Sequence, residues 1–210
     1  MAILKVANMG NPVLRQATEP VSSRDLKSLP VQQFIDDMLD TLDEYHGVGL
    51  AAPQVHSGRR IVLVDRSAGD DPENNTVVLV NPVVAEMSEE TEEDWEGCLS
   101  IPDIRGVVPR SAAVEVKGFD VEGQQVEFAA EGFFARVLQH EIDHLDSVLF
   151  LDRMEGFETL AYFEEYQRYW IEDEEEEEYD DEEEYDDFDE DMSEEEDDED
   201  AVSLDESHSM

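Results

Sequence analysis

Two histidines four residues apart, with a glutamate beside the first, carry the clearest chemical signal in the sequence. They lie in the segment QHEIDH, where Glu141 directly follows His140 and His144 comes one helical turn later. On a helix, residues i and i+4 share a face, so both imidazoles can bind one metal ion next to the carboxylate. The spacing predicts a helical metal site of the kind that metal-dependent hydrolases use.

The residues around this motif predict the helix that carries it, from about Gly132 to Leu145. At about 100° per residue, Phe133 and Val137 fall on the same side as the two histidines. A separate apolar stripe adjoins that side, so the helix can be anchored by one face and present the metal site on the other. The stripe consists of Phe134, Ala135, Leu138, Ile142 and Leu145.

Two histidines do not complete a catalytic metal site, which commonly has three protein ligands and leaves a position for water. Zinc proteases with this pattern often take the third ligand from downstream, where Glu158, Glu164 and Glu165 are the candidates. Upstream, the single cysteine, Cys98 in EGCLS, is either a thiolate ligand or a small buried apolar residue. Residue types alone leave both sources open.

A third segment of chemical interest is GVGLAAPQV, residues 47–55. Its glycines and alanines allow another part of the backbone to approach closely, and Gln54 offers an amide that can donate a hydrogen bond. The alternative interpretation is a helix cap followed by a tightly packed turn.

Charge divides the 210 residues into a body, residues 1–171, and an acidic tail, residues 172–210. The tail holds 26 of the 58 Asp and Glu residues and none of the 13 Lys and Arg residues. Dense like charge with few aliphatic residues predicts a disordered tail. The body is acidic as well, which argues against direct binding of nucleic acid, because phosphate contacts rely on Lys and Arg.

The remaining composition indicates a cytoplasmic protein without a membrane segment. A single cysteine excludes an internal disulfide and fits a reducing compartment. No apolar run approaches the roughly 20 residues of a membrane span, and the N-terminus lacks a basic region followed by a long apolar stretch.

The pattern of apolar residues predicts an α+β fold. Apolar positions at three- and four-residue steps indicate an N-terminal helix from Pro30 to about Tyr45, and we expect a C-terminal helix from about Arg153 to Trp170. Strands grouped between helices, without regular alternation, favour mostly antiparallel sheets packed around the central helix that carries the metal motif. The predicted strands are Arg60–Asp65, Thr76–Asn81, Ala113–Phe119 and Gln125–Ala129.

Taken together and in this order, GVGLAAPQ, EGCLS and QHEIDH resemble the three signature motifs of the peptide deformylase family. The resemblance covers the chain from Met1 to about Phe150 and includes MGNPVLR and SIPDIRGVVPR. It implies a metal-dependent hydrolase that removes the formyl group from the N-terminal formylmethionine of newly synthesised polypeptides and releases formate. The expected substrates are formylmethionyl peptides and nascent chains, with transient contact with ribosomes.

Carried over residue by residue, the resemblance implies that Cys98, His140 and His144 bind the metal and that Glu141 is the general base. It also implies ferrous iron, Fe²⁺, although the ligand types alone favour zinc. Another divalent metal remains an alternative.

The resemblance places Gln54 and the backbone N–H of Leu99 where the family holds the substrate oxygen. The remaining candidate substrate-binding residues are three apolar side chains for a methionine pocket, one backbone that pairs with substrate and one arginine for peptide carbonyls. They are Val48, Phe133, Val137, Gly49 and Arg105.

The chain departs from the family pattern at Ser147, where glycine is usual, and in its acidic tail. Glycine at the first position would serve a left-handed helix cap, so we expect Ser147 to cost some stability. Two other functions remain open: an amidase that prefers another acyl group, and a non-enzymatic scaffold whose tail binds basic proteins.

Overall fold

The computed structural model describes residues 2–66 and 76–171. The acidic tail predicted to be disordered and the loop SAGDDPENN lie outside the described residues. The described helices are α1 (Ser23–Leu26), α2 (Leu29–Glu44), α3 (Gly132–Leu145) and α4 (Phe163–Tyr169). The described strands are β1 (Gly49–Ala51), β2 (Ile61–Asp65), β3 (Thr76–Met87), β4 (Thr91–Cys98), β5 (Ile101–Ser111), β6 (Ala113–Phe119), β7 (Gln125–Glu131) and β8 (Ala161–Tyr162). Within these residues, no helix is both long and apolar enough to cross a membrane.

The described strands pair in two antiparallel sheets, which confirms the predicted α+β class. One sheet has the order β1-β2-β3-β6-β7, and the other has the order β4-β5-β8. Every strand pair in both sheets is antiparallel.

The larger sheet lies between α2 and α3, and β2 shows why. Its side chains alternate between two separate apolar cores, because successive residues of a strand point to opposite faces. Ile61 and Leu63 pack with α2, whereas Val62 and Val64 pack with α3. Burial on both faces explains why this strand reads as a continuous apolar run.

Helix α3 has the predicted bounds and lies at the centre of the body. Its apolar stripe packs on the larger sheet, where Leu138 and Leu145 are completely buried. Its other side faces β4 and β5 of the smaller sheet, where a hydrogen bond joins Arg136 to the backbone oxygen of Val108 at 2.8 Å. The helix therefore fills the space between the sheets, and most of its side chains are buried.

The predicted strands omit β1, β4, β5 and β8, and they end β3 too early. Strand β3 continues past Asn81 to Met87, because the Asn-Pro pair at 81–82 sits in a register shift rather than at a strand end. Strands β4 and β5 were missed altogether. The first four residues of β4 are exposed and mostly acidic, so the strand lacks an apolar alternation, and its pairing with β5 supplies the stabilisation that local propensity does not.

The predicted helix from Arg153 to Trp170 is wrong over its first half. The structure has a loop followed by β8, and the helix begins only at Phe163. Strand β8 pairs with β5, and the Thr159 hydroxyl accepts a hydrogen bond from the Val107 N–H at 3.2 Å. These contacts with a distant strand hold the segment extended, which overrides its helical pattern.

Helix α3 ends in a left-handed residue, as expected at Ser147, whose φ is +67°. Its N–H donates to the carbonyl of His144 at 3.3 Å, and the Val148 N–H donates to the carbonyl of Asp143 at 2.9 Å. These two bonds form a Schellman cap, in which glycine is the usual left-handed residue.

We predict that Ser147→Gly raises the free energy of unfolding by about 1 kcal/mol, because a Cβ in the left-handed region costs roughly 1–2 kcal/mol. Urea unfolding followed by circular dichroism measures the change. Ser147→Ala is the matched control, because alanine keeps the Cβ and should not stabilise. Equal stabilisation by both variants would contradict the strain explanation.

Candidate active site

The structure brings Cys98 at the end of β4 to His140 and His144 on α3. One ligand atom from each residue lies within 4.8 Å of the other two, and Cys98 Sγ is 3.3 Å from His144 Nε2. Within the described residues, none of the downstream glutamates that were candidates for a third ligand belongs to this cluster. The upstream cysteine, rather than a downstream acid, lies with the two histidines.

A buried carboxylate orients the first histidine. Glu96 lies two residues before Cys98 on β4, and its Oε2 accepts a hydrogen bond from His140 Nδ1 at 2.8 Å. With Nδ1 carrying the proton, His140 Nε2 keeps its lone pair for a metal. Burial, followed by the nearby His140, lowers the pKa of His144 well below its usual value, so that this imidazole is neutral as a ligand must be.

This donor set fits a divalent metal ion. One sulfur and two imidazoles converge, and these are ligands that zinc and ferrous iron accept. His144 Nδ1 and Glu141 Oε2 are buried polar atoms without a hydrogen-bond partner in the described part of the chain. Unsatisfied buried polar atoms are rare in folded proteins, and their location next to the cluster is typical of a reactive site.

Glu96 is itself held by two buried arginines that sequence reasoning assigned no role. Its carboxylate accepts hydrogen bonds from Arg110 at 2.9 and 3.0 Å and from Arg136 at 3.0 Å. Burial alone would raise the pKa of Glu96, but the hydrogen bonds from His140 and Arg110 outweigh it and lower the pKa to about 2. One signal was present: Arg136 precedes His140 by four residues and so shares its face of α3.

Asp143 extends this network on the far side of Arg110. Its carboxylate accepts hydrogen bonds from Arg110 at 2.5 Å and from Arg153 at 2.7 and 3.0 Å. The network therefore joins β4, β5, α3 and the loop after α3 through charge-assisted bonds.

Glu141 occupies a position suited to proton transfer. Its side chain is almost fully buried, and burial raises its pKa to about 7, so that it can both accept and donate a proton near neutral pH. Gly49 makes room for it: a Cβ at that position would lie 2.8 Å from the Glu141 carboxyl carbon. Gly49 in the first motif therefore leaves the space that Glu141 in the third motif occupies.

Gln54 faces the cluster with its amide nitrogen. Its Oε1 accepts a hydrogen bond from the Ala51 N–H at 2.7 Å, which orients the amide, and its Nε2 lies 3.5 Å from Cys98 Sγ. Leu99 follows Cys98 in the turn between β4 and β5, and its side chain packs against the core beneath α2. Both residues are therefore adjacent to the ligand sulfur.

A cavity of about 720 Å³ opens onto the cluster. The side chains of Val48 and Phe133 are each 41% exposed, which places them where the cavity meets solvent. The wall combines apolar residues with a few polar groups, as ligand pockets usually do. The cavity is lined by all five predicted substrate-binding residues, which are Val48, Gly49, Arg105, Phe133 and Val137. It is also lined by Gln54, Cys98, Leu99, His140 and Glu141.

Comparison with known proteins identifies the family. The model of the polypeptide deformylase family matches residues 3–159. The chain belongs to the peptide deformylase family. A peptide deformylase from Desulforudis audaxviator is 40% identical over 154 residues, which cover 73% of this chain and 94% of the relative.

Solved structures of deformylases share the fold. A Met-Ala-Ser-bound class I type b peptide deformylase from Acinetobacter baumannii matches with a TM-score of 0.69 and 43% identity, covering 73% of this chain and 99% of that one. The peptide deformylase from Thermotoga maritima gives a TM-score of 0.68 at 38% identity, covering 74% and 100%. Family members are metal-dependent hydrolases of protein biosynthesis that remove the formyl group from the N-terminus of new polypeptides, and this chain is one of them.

The close approach of Gly49 to the Glu141 side chain predicts that a larger residue at position 49 lowers activity. Gly49→Ala should displace the Glu141 carboxylate, and we expect formate release to fall about 100-fold, since a displacement of about 1 Å in an active site can cost that much. Gly58→Ala is the control, because nothing lies within 4 Å of a Cβ there. Full activity of Gly49→Ala would show that Glu141 tolerates the shift.

The buried network predicts a large loss of stability in Glu96→Gln. Glutamine removes the charge that Arg110 and Arg136 share at Glu96, and breaking a buried pair in this way typically costs about 3–5 kcal/mol. Urea unfolding at pH 7 measures the loss. Glu93→Gln, an exposed glutamate on the same strand, should change stability by less than about 0.5 kcal/mol.

The lowered pKa of Glu96 also predicts how that difference depends on pH. The stability that Glu96 contributes is fully present above its ordinary pKa of 4.5 and is lost as the pH falls toward 2. The difference in free energy of unfolding between the wild-type chain and Glu96→Gln should therefore decrease by about 2 kcal/mol from pH 7 to pH 3. A gap that stayed constant across this range would contradict the proposed pairing.

Proposed function

We propose that this chain removes the formyl group with Cys98, His140 and His144 as metal ligands and Glu141 as proton carrier. The supporting observation is the convergence of the three ligand atoms beside a buried carboxylate whose pKa is raised to about 7. A base whose pKa lies near the working pH transfers protons most effectively, which is why this carboxylate suits hydrolysis at neutral pH.

The metal proposed for the site is Fe²⁺, with zinc as the alternative that the ligand types favour. Bound by the three ligands, a divalent ion would supply positive charge that acidifies water and polarises the formyl oxygen. Glu96 would act on this site through His140 by fixing the ring and its tautomer.

The protein groups then divide the work of hydrolysis. Glu141 accepts the proton of the attacking water and later delivers it to the leaving amine, so that formate and a free N-terminus result. The Gln54 amide, oriented by the Ala51 N–H, and the backbone N–H of Leu99 donate to the formyl oxygen as negative charge builds there. Each such donor is worth about 10²–10³ in turnover.

The cavity wall supplies the preference for formylmethionine. Val48, Phe133 and Val137 are apolar and line the cavity beside the metal ligands, so they can pack against a flexible thioether. The backbone of Gly49 pairs with substrate, and Arg105 donates to peptide carbonyls. The A. baumannii deformylase described above holds a Met-Ala-Ser peptide, which has the length and first residue expected of such a product.

The proposed cellular substrates are formylmethionyl nascent chains in the cytoplasm, met in transient contact with ribosomes. The acidic body and tail are repelled by ribosomal RNA, so any such contact should be with the nascent chain or with basic ribosomal proteins. Direct nucleic-acid binding is not part of the proposal.

Glu141→Gln tests the proton-transfer role. We expect release of formate from formyl-Met-Ala-Ser to fall by about 10²–10⁴, while the metal content per chain stays unchanged, since Glu141 is not a ligand. Glu122→Gln, an exposed glutamate in the β6–β7 turn, is the control. Acetyl-Met-Ala-Ser serves as the competing substrate.

Two outcomes would contradict the proposal. Retained turnover in Glu141→Gln would remove the assigned role of that residue. Faster hydrolysis of the acetyl peptide by the iron-loaded wild-type chain would instead favour an amidase with another acyl preference.

A further inference from the structure

The C-terminal segment from Ala161 to Trp170 follows the residues that the family model matches, yet it reaches the cavity wall. The family match ends at residue 159. Strand β8 then pairs with β5 at Ile104 and Arg105, so the backbone of this segment runs directly beside an arginine that lines the cavity.

Arg105 is held between two surfaces. The ring of Phe163 lies on one side, with the Arg105 Cζ atom 4.5 Å from the ring centroid. Gly97 lies against the guanidinium, and a Cβ there would be 2.5 Å from the same Cζ atom. Arg105 Nη1 also donates to the carbonyl oxygen of Ile104 at 2.9 Å. Three contacts therefore restrict the orientation of this side chain.

The fixed guanidinium retains donors for a ligand. Within residues 2–66 and 76–171, Arg105 forms no salt bridge, in contrast to the buried Arg110 and Arg136. A guanidinium carries five N–H donors. The bond to the Ile104 carbonyl uses Nη1 alone. Peptide carbonyls, which are planar acceptors, match these remaining donors.

The same C-terminal segment supports a second residue of the cavity wall. Trp95 lines the cavity, and its ring lies 4.7 Å from that of Tyr166 and 5.3 Å from that of Trp170, tilted in both cases. Such tilted pairs are favourable aromatic contacts. The segment thus backs both an aromatic side chain and a cationic one at the same end of the cavity.

We propose that residues Ala161–Trp170 determine how strongly the enzyme binds the part of a formyl peptide beyond its methionine, with Phe163 as a positioning residue for Arg105. This inference rests on the proposed peptide substrate. A formyl dipeptide gains little binding energy from Arg105 and Trp95, whereas a tripeptide or longer chain reaches both residues. Preorganisation of Arg105 lowers the entropy lost when it binds peptide carbonyls.

The test compares Phe163→Leu with Phe163→Tyr in the full-length, iron-loaded enzyme. Leucine fills the space without a π face, and tyrosine keeps the face. We expect Phe163→Leu to raise KM for formyl-Met-Ala-Ser by about two- to five-fold, which is the range that a partly exposed cation–π contact gives, with kcat unchanged. KM for formyl-Met-Ala should rise less, and Phe163→Tyr should match the wild type.

Phe157→Leu is the matched control, because Phe157 is an exposed phenylalanine, 73% accessible, that precedes the proposed wall. Equal kinetics of wild type and Phe163→Leu would overturn the inference. A fall in kcat, or an equal rise in KM for both peptides, would also overturn it, since general loosening of the site would then explain the effect. Absence of formate release by the wild-type chain would contradict the proposed function itself.

Discussion

The pairing of the buried Glu96 carboxylate is the interaction on which the rest of the site depends. Its two oxygens accept from two arginines and one histidine, which come from β5 and α3. Because an uncompensated buried charge is costly, these elements must dock in one arrangement. Cys98 follows Glu96 by two residues, across a register shift in β4, so the docking that satisfies Glu96 also brings Cys98 to the histidines of α3. The interactions that stabilise the hairpin therefore also bring Cys98, His140 and His144 together.

Burial gives the neighbouring groups their chemistry. Glu141 lies on the same helix as the ligands and is enclosed by β1, where the missing side chain of Gly49 leaves it room. That enclosure raises its pKa to about 7, whereas hydrogen bonds from His140 and Arg110 outweigh burial at Glu96 and lower the pKa of that carboxylate to about 2. Two buried glutamates, one on β4 and one on α3, thus acquire opposite properties, one suited to moving protons and one to holding a fixed charge.

The C-terminal segment shows how residues beyond the metal motif shape the wall of the site. Strand β8 adds to the smaller sheet and places Phe163 and Tyr166 behind the cavity wall. The local pattern of this segment favours a longer helix. Pairing of β8 with β5 overrides that pattern, so the helix begins only at Phe163. The resulting aromatic surface is anchored by backbone hydrogen bonds, so single side chains in it can vary without loss of the strand.

The sequence by itself determined the helix of the metal motif, the position of β2 and the order of the three motifs, because these depend on periodicity and spacing along the chain. Apart from His144, which lies with Cys98 and His140, the candidate site residues all line one cavity. Only the tertiary structure decided that Cys98, rather than Glu158, Glu164 or Glu165, lies with the two histidines, since residue types alone left both sources open. Strands β4 and β5 and the Glu96 network were likewise beyond local reasoning. Their stabilisation comes from partners tens of residues away, and a buried charge reveals its role only when its partners are in contact with it.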